Sequence, residues 1–342
     1  MRYQPIYDIA EICARKKVTH VVLCPGSRCA PLTLAFTRHS GIISRTISDE
    51  RCAGFIALGM AQSLRAPVVL ICTSGTAVYN LAPAVAEAYF SHTPLIIITA
   101  DRPAEWIGQL DGQTIFQNEI FGKHVKKFFQ LPQDYDHKDS IWAVNRIVNE
   151  ALNFSMQEAP GPVHINAPFR EPLYPPKGND SIRYSETRII SEHAPLLQIT
   201  AEAKQMLQTE LASYHNILLV AGQYRHDPRV IRAVSAFRQK HHVPVVHDII
   251  SNLHDLEGGI QHSDLFLGQA PDNLLPSLRP DLLITFGDSL ISKNLKIFLR
   301  NYPARRHWHV QAQGSVADTF RELTDVFYTT PEVFFDLLTS LP

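Results

Sequence analysis

The sequence predicts an α/β protein with two doubly wound domains, each built on a mainly parallel sheet. Short apolar runs that suit strands alternate with longer stretches of helical periodicity. These runs do not alternate with polar residues, so we expect their strands to be buried on both faces, as the strands of parallel sheets are. A polar, proline-rich stretch from residue 174 to 195 divides the chain into two such series.

The first series predicts a domain over residues 1–175. A helical pattern that begins at residue 141 precedes its last strand. Because strands and helices alternate, right-handed crossovers should connect the parallel strands. The strand-like runs are HVVLC from residue 20, PVVLICT from 67, PLIIITA from 94 and PVHIN from 162.

The second series predicts another α/β domain over residues 195–342. It follows a linker at residues 176–194 that shows neither the strand nor the helix periodicity. Its architecture is like that of the first series, although no short repeat is found. Its strand-like runs are NILLVAG from residue 216, VPVVHDI from 243, DLLITFG from 281 and HWHVQ from 307.

Composition argues against several classes of partner. The chain has 32 basic and 33 acidic side chains among 342 residues, so no overall field favours nucleic acid or an anionic membrane. No segment approaches the ~18 consecutive apolar residues of a membrane span, and the first residues lack the apolar run of a signal peptide. We therefore expect a soluble, cytoplasmic protein.

The cysteines are expected to be reduced and to act as small hydrophobic residues. They are odd in number and show no CxxC spacing, which predicts neither a disulfide framework nor a metal site. They are Cys13, Cys24, Cys29, Cys52 and Cys72.

The loops after the first-half strands are the places to look for chemistry, because the carboxyl ends of parallel strands form the ligand crevice. In CPGSRCAPL, backbone N–H groups at Gly26 and Ser27 could hold an anion, and Arg28 could grip a carboxylate. The alternative is a capped strand-to-helix turn with a solvated arginine.

Two further loops carry polar residues. CTSGTAVYNLAP, from Cys72, lacks the lysine of a Walker A loop and the spacing of a dinucleotide fingerprint, so a plain helix cap is its default interpretation. TADRPAEWIGQLDGQTIFQ begins with Asp101 and Arg102 at a strand end, where a structural ion pair is as reasonable as a ligand site. Three glutamines follow there, namely Gln109, Gln113 and Gln117.

An acidic pair, Asp49 and Glu50, stands directly before small and apolar residues that suit burial. From the residues alone, two interpretations of Glu50 are equally reasonable. It is a buried functional carboxyl, or it pairs with Arg51 or Arg45 at a helix start.

Five motifs, taken in order and spacing, decide between these interpretations. They are CPGSRCAPLTLAF, SDERCAGFIALGMA, TSGTAVYNLAPAVAEA, ITADRPAE and GPVHINAPFREPLY. Together they resemble the amino-terminal domain of the 2-succinyl-5-enolpyruvyl-6-hydroxy-3-cyclohexene-1-carboxylate synthase family, thiamine-diphosphate enzymes of menaquinone biosynthesis. The resemblance is dense over residues 20–173 and looser over 190–342. It implies a pyrimidine-binding domain followed by a Rossmann-like central domain.

The resemblance implies a catalytic role for Glu50. In this family the glutamate of the DER segment hydrogen-bonds a pyrimidine nitrogen of the cofactor. Burial would raise the pKa of its carboxyl, which suits proton donation to that nitrogen and favours the imino tautomer that deprotonates the thiazolium carbon. The further cofactor-binding candidates that the resemblance implies are Pro25, Gly26, Thr73 and Asn80.

The resemblance also implies the substrates. Such enzymes decarboxylate 2-oxoglutarate and add the succinyl carbanion equivalent to isochorismate, and a site for these acids needs cations. The residues implied to face them are Ser27, Arg28, Arg102, Gln113 and Lys293. One departure is Asn294 after Lys293, where some members have an arginine.

A Gly-Asp motif followed by paired asparagines holds Mg²⁺ and the diphosphate in this family, in a separate carboxy-terminal domain. The pair Gly287-Asp288 has no Asn-Asn after it. We therefore expect the 342 residues to be two domains of a longer homodimeric or homotetrameric enzyme and to lack synthase activity alone. Two alternatives stay open: another thiamine-diphosphate lyase or decarboxylase, and a non-catalytic regulatory subunit with this fold.

Overall fold

The chain forms two compact units, Met1–Ala194 and Pro195–Pro342, in a computed structural model. The structure describes residues 3–157, 159–175, 182–193, 199–271 and 273–341. Each unit is an α/β layer structure on a single parallel sheet among the residues described. The predicted fold class is thereby confirmed.

The sheet of the first unit has the strand order β2-β1-β3-β4-β6-β5, counted over its described residues, and every adjacent pair is parallel. The strands are β1 (His20–Leu23), β2 (Ile43–Thr46), β3 (Val68–Cys72), β4 (Leu95–Asp101), β5 (Lys127–Gln130) and β6 (Val163–Pro168). The helices are α1 (Gln4–Arg15), α2 (Ala30–Thr37), α3 (Glu50–Leu64), α4 (Ala77–Asn80), α5 (Ala82–Phe90) and α6 (Lys138–Met156).

The central strands of this sheet are buried on both faces because helices cover each face. Val21 and Leu23 of β1 belong to the core formed with α1, α2 and α6. Val22, between them, belongs to the core formed with α3 and α5. Side chains of a strand alternate between its faces, so an uninterrupted apolar run serves both cores.

The second unit repeats this arrangement with the strand order β11-β10-β9-β7-β8, again all parallel within the described residues. Its strands are β7 (Ile217–Ala221), β8 (Val245–His247), β9 (Leu282–Phe286), β10 (Arg306–Gln311) and β11 (Asp325–Tyr328). Its helices are α7 (Ala201–Leu211), α8 (Pro228–His241), α9 (Ser263–Gln269), α10 (Lys293–Asn301) and α11 (Pro331–Ser340).

Residues 182–193, inside the segment predicted as a linker, lie along the first unit without regular secondary structure. The N–H of Ser185 donates to Oδ1 of Asp8 at 2.8 Å, and the N–H of Ile190 donates to Oδ1 of Asn149 at 2.8 Å. These bonds tie the segment to α1 and α6. The other predicted linker residues, 176–181 and 194, lie outside the described residues.

None of the helices in the described ranges combines the length and the apolar character needed to cross a membrane.

Candidate active site

The loops after β1 and β3 touch at the carboxyl edge of the first sheet. A Cβ added to Gly26 would lie 2.4 Å from Cβ and 2.6 Å from Oγ1 of Thr73. Only a glycine allows this close approach. Thr73 is buried, and its Oγ1 has no hydrogen-bond partner among the described residues. A buried hydroxyl without a partner is costly, so Thr73 Oγ1 is a candidate hydrogen-bonding group for a ligand at this strand end.

The acidic pair at the start of α3 divides into two roles. Asp49 is the N-cap, and its Oδ1 accepts from the N–H groups of Arg51 at 2.9 Å and Cys52 at 3.2 Å. The guanidinium of Arg51 also bonds Oδ2 of Asp49 at 2.9 Å. The bonds from Arg51, with that from the Cys52 N–H, lower the pKa of Asp49 to about 2. Asp49 is therefore the structural carboxylate of the pair.

Glu50 is left without an ion pair or hydrogen bond to any residue that the structure describes. The proposed partner Arg51 is engaged by Asp49, so the helix-start ion pair involves the neighbouring carboxylate. Burial raises the pKa of Cys24 to about 12, and the nearby charge of Glu50 raises it further. The Glu50 carboxylate thus lies near the end of β1, beside the loop that holds Gly26.

The burial expected for Glu50 is not found. Glu50 is half-buried in this chain, because it is the first residue of α3 and is followed by the exposed Arg51 and Cys52. Cys52 also departs from the expectation that the cysteines are buried hydrophobic residues, whereas the other four are buried, and all five are free thiols.

The remaining cofactor-binding candidates, Pro25 and Asn80, are exposed to solvent. Pro25 is exposed beside the half-buried Gly26. Asn80 is the last residue of α4 and is exposed, with its Nδ2 donating to the carbonyl of Thr76 at 3.4 Å. Their roles stay predictions.

Two arginines of the predicted substrate set lie close together. The side chains of Arg28 and Arg102 are only 12% and 13% exposed. Burial lowers the pKa of Arg28, and the charge of Arg102 is the next contribution. Arg28 donates to the carbonyl of Phe169 at 2.9 Å and pairs with Glu171 at 3.5 Å. The first unit therefore places two guanidinium groups next to the strand ends, each with a carboxylate partner from the chain.

Arg102 is held by the loop that follows it. Its Nε donates to Oδ2 of Asp111. Its Nη1 lies 3.2 Å from Oγ of Ser74 and 3.4 Å from the carbonyl oxygen of Gln113. Gln113 is exposed in the left-handed region, at φ 54°, and contacts Arg102 through its backbone.

The other predicted substrate residues are exposed. Ser27 lies in the turn before α2, where its carbonyl accepts from the N–H of Ala30 at 3.1 Å. Lys293 belongs to the second unit, begins α10 and makes no side-chain hydrogen bond or ion pair to the described residues. Asn294 bonds Asp264 through its N–H at 3.0 Å and its Nδ2, which fastens α10 to α9. Asn294 thus has a structural partner within the second unit.

A buried polar network beneath these loops was not recognised from the sequence. Gln117 accepts from the N–H of Gly75 at 3.0 Å and donates to the carbonyl of Ala100 and to Oδ1 of Asn166. Asn166 donates to Oδ2 of Asp101 at 2.8 Å. Burial raises the pKa of Asp101. The network fixes the Gly75 loop and the start of the Arg102 loop.

Two polar groups without a partner among the described residues suit the organic end of a cofactor. No group of three or more His, Cys, Asp or Glu side chains that could hold a metal ion occurs in the part of the chain that the structure describes. Thr73 Oγ1 and the Glu50 carboxyl group are unpaired polar groups at neighbouring strand ends. They fit a heterocycle whose edge offers both donors and acceptors.

Comparisons with known proteins agree with this chemistry. Residues 7–126 match the family model described as the thiamine pyrophosphate enzyme, N-terminal TPP binding domain. A 2-succinyl-5-enolpyruvyl-6-hydroxy-3-cyclohexene-1-carboxylate synthase of Cytophaga hutchinsonii is 46% identical over 323 residues, which cover 94% of this chain and 57% of that protein. The synthase of the same name from Bacteroides thetaiotaomicron is 37% identical over 330 residues, covering 95% of this chain and 57% of that protein.

A solved structure supports the fold. The thiamine diphosphate-dependent 4-hydroxybenzoylformate decarboxylase of Rhodococcus jostii RHA1 has a TM-score of 0.70 at 16% identity, covering 98% of this chain and 62% of that one. At 16% identity, this similarity supports the fold and nothing further. The resemblance indicated by the five motifs is confirmed by the sequence relatives. The chain is thus similar over most of its length to the 2-succinyl-5-enolpyruvyl-6-hydroxy-3-cyclohexene-1-carboxylate synthases, of whose length it spans 57%, and its residues 7–126 match a thiamine pyrophosphate enzyme N-terminal domain.

Proposed function

We propose that this chain supplies the pyrimidine-binding and central domains of a thiamine-diphosphate-dependent synthase. The complete enzyme would decarboxylate 2-oxoglutarate and add the succinyl unit to isochorismate, a transferase reaction of menaquinone biosynthesis. The observation that carries the proposal is the unpaired Glu50 carboxyl group, whose charge acts on Cys24 after β1 and on Cys72 at the end of β3. Its acidic neighbour, Asp49, already caps the helix, so capping does not explain Glu50.

In this proposal Glu50 holds a proton at its carboxyl oxygen and gives it to a nitrogen of the aminopyrimidine ring. When bound, thiamine diphosphate supplies a thiazolium carbon that becomes nucleophilic on losing its proton. Thr73 Oγ1 would hydrogen-bond the ring, and Gly26 would allow its loop to lie directly against Thr73. Glu50 must lose water to do this, because a carboxyl group that donates to the ring cannot keep its hydration on that side.

Arg28 and Arg102 would bind substrate carboxylates, since a guanidinium can make two parallel hydrogen bonds to a carboxylate. Ser27 and Gln113 are exposed at the same loops, and Lys293 is a further candidate cation for a substrate carboxylate. The complete enzyme would be a cytoplasmic homodimer or homotetramer that requires Mg²⁺. The residues for Mg²⁺ and diphosphate would come from the part of the synthases that has no counterpart in this chain.

A fused enzyme tests the proposal. It joins residues 1–342 to the part of the Cytophaga hutchinsonii synthase that has no counterpart here. With thiamine diphosphate, Mg²⁺ and isochorismate, we expect it to release CO₂ from 2-oxoglutarate and form the synthase product. The intact synthase is the parallel control, and 4-hydroxybenzoylformate tests the alternative of another decarboxylase. A folded, cofactor-binding fusion that releases no CO₂ from 2-oxoglutarate would overturn the proposal, whereas the 342-residue chain alone is expected to be inactive.

A further inference from the structure

Arg28 and Arg102, the two arginines of the candidate site, each form an ion pair with a carboxylate of this chain. Arg28 pairs with Glu171 at 3.5 Å, and Arg102 pairs with Asp111. The charge of each guanidinium is thereby offset by at least one carboxylate of the chain. A dicarboxylate entering this arrangement would add two negative charges without an unpaired cation to receive them.

Of these two ion pairs, the one between Arg102 and Asp111 is screened less by water and should affect ligand binding more. Glu171 is 75% exposed as a side chain, so water competes strongly for it. The Asp111 side chain is 38% exposed and that of Arg102 is 13% exposed, so water screens their contact less. The hydrogen bond from Arg102 lowers the pKa of Asp111, which keeps Asp111 charged at neutral pH.

The donors of Arg102 are largely committed in this arrangement. Nε is taken by Asp111, and Nη1 lies near Ser74 and the carbonyl of Gln113. A carboxylate grips a guanidinium best through two parallel N–H groups. With Nε occupied, an incoming carboxylate cannot use the Nε and Nη2 pair.

Asp111 is itself held by local contacts in its loop. Its Oδ1 accepts from the N–H of Gly112 at 3.0 Å, and its carbonyl accepts from Oγ1 of Thr114 at 2.6 Å. Its neighbour Leu110 is fully exposed, at 102%. Apart from the bond with Arg102, these hydrogen bonds of Asp111 are with its own loop, so Asp111 can leave Arg102 without breaking core packing.

We infer that Asp111 is a specificity-determining residue that competes with the substrate carboxylate for Arg102. The binding of an acidic substrate displaces Asp111 from Nε of Arg102. Because Asp111 repels the substrate carboxylate, only ligands whose other contacts offset this repulsion bind tightly. The inference rests on the proposed function, because it takes Arg102 as a substrate-binding residue.

Calorimetric titration of the 342-residue chain with succinate, at fixed ionic strength, tests the inference. Asp111→Asn keeps the shape and the bond to Gly112 but removes the charge, so succinate should bind about three- to fivefold more tightly than to the unmodified chain. Arg102→Ala should abolish that gain. The matched control is Glu105→Gln, which removes the same charge from the same loop, where Glu105 pairs with Arg170. It should change the affinity less than about twofold.

Succinate has no 2-oxo group, so this titration is independent of the proposed reaction. If Asp111→Asn binds succinate no better than the unmodified chain, or not at all, the inference is overturned and Asp111 only orients Arg102. If Asp111→Asn gains affinity while the fused enzyme releases no CO₂ from 2-oxoglutarate, the inference stands and the proposed function falls.

Discussion

Gly26 lies against Thr73 so closely that a Cβ on Gly26 would be 2.4 Å from the Cβ of Thr73. The contact follows from the sheet, because β1 and β3 are adjacent, with Leu23 paired to Ile71. The loops that continue these strands therefore start side by side. At Gly26 the two loops are so close that no side chain fits beside that of Thr73.

We expect Gly26→Ala to lower the free energy of unfolding of the first unit by about 1–3 kcal/mol, because Thr73 cannot move without disturbing a buried strand end. Gly59→Ala is the control, since a Cβ there meets nothing within 4 Å on an exposed part of α3. That change should be neutral or stabilising by up to about 1 kcal/mol. Urea denaturation followed by circular dichroism compares the two. Equal effects would show that the contact with Thr73 is not tight.

Gln117→Ala should destabilise the first unit by about 2–3 kcal/mol, because the N–H of Gly75 and the amide of Asn166 would lose a buried partner. Gln109→Ala, on the exposed part of the same loop, should change stability by less than about 0.5 kcal/mol. Thermal unfolding of both variants measures the difference. A similar, small loss in both would mean that water replaces the Gln117 side chain.

The sequence predicts the central strands and the buried edge strand β8, but it misses the three other edge strands. The eight apolar runs correspond to β1, β3, β4 and β6 in the first unit and to β7, β8, β9 and β10 in the second. β2, β5 and β11 were missed. β2 and β5 end the first sheet and β11 ends the second. Edge strands such as ISRT in β2 are partly exposed, so they lack the apolar run that marks a strand covered on both faces.

The site was predictable at the level of loops but not of individual contacts. The expectation that the loops after β1, β3 and β4 meet agrees with the contacts of Gly26 with Thr73 and of Arg102 with Ser74. Periodicity does not reveal which of several nearby glutamines is buried, so Gln117 was not separated from Gln113. The pairing of Arg51 with Asp49 depends on side-chain geometry that the order of residues does not fix.

Stability of the second unit should depend on Glu322. Burial raises the pKa of its carboxyl to about 7, and Oε1 has no partner among the described residues. The folded state therefore keeps a proton that the unfolded state loses at lower pH. Stability should fall as the pH rises from the ordinary glutamate pKa of about 4.3 to about 7. The loss should be about 1 kcal/mol, because water screens this half-buried group.

Glu322→Gln mimics the protonated carboxyl group and should remove this loss. The stability of the variant relative to the unmodified chain should therefore rise between pH 5 and pH 7.5. Urea denaturation at the two pH values measures this difference. The control is Glu257→Gln at an exposed position in the same unit, whose relative stability should not change with pH. A constant difference between Glu322→Gln and the unmodified chain would disprove the assignment of the proton to Glu322.

The role of Glu50 is measured most directly by the exchange of the thiazolium C2 proton of thiamine diphosphate bound to the fused enzyme, a step that precedes contact with substrate. Glu50→Gln keeps the size and hydrogen-bonding capacity of the side chain but has no carboxyl proton to give. General acid–base contributions are roughly 10²–10⁴-fold, and we expect exchange to slow by at least that range. Glu87→Gln, which alters an exposed carboxylate on α5, should exchange at the unmodified rate. If Glu50→Gln binds the cofactor and exchanges its proton as fast as the unmodified fusion, Glu50 transfers no proton and the central claim is wrong.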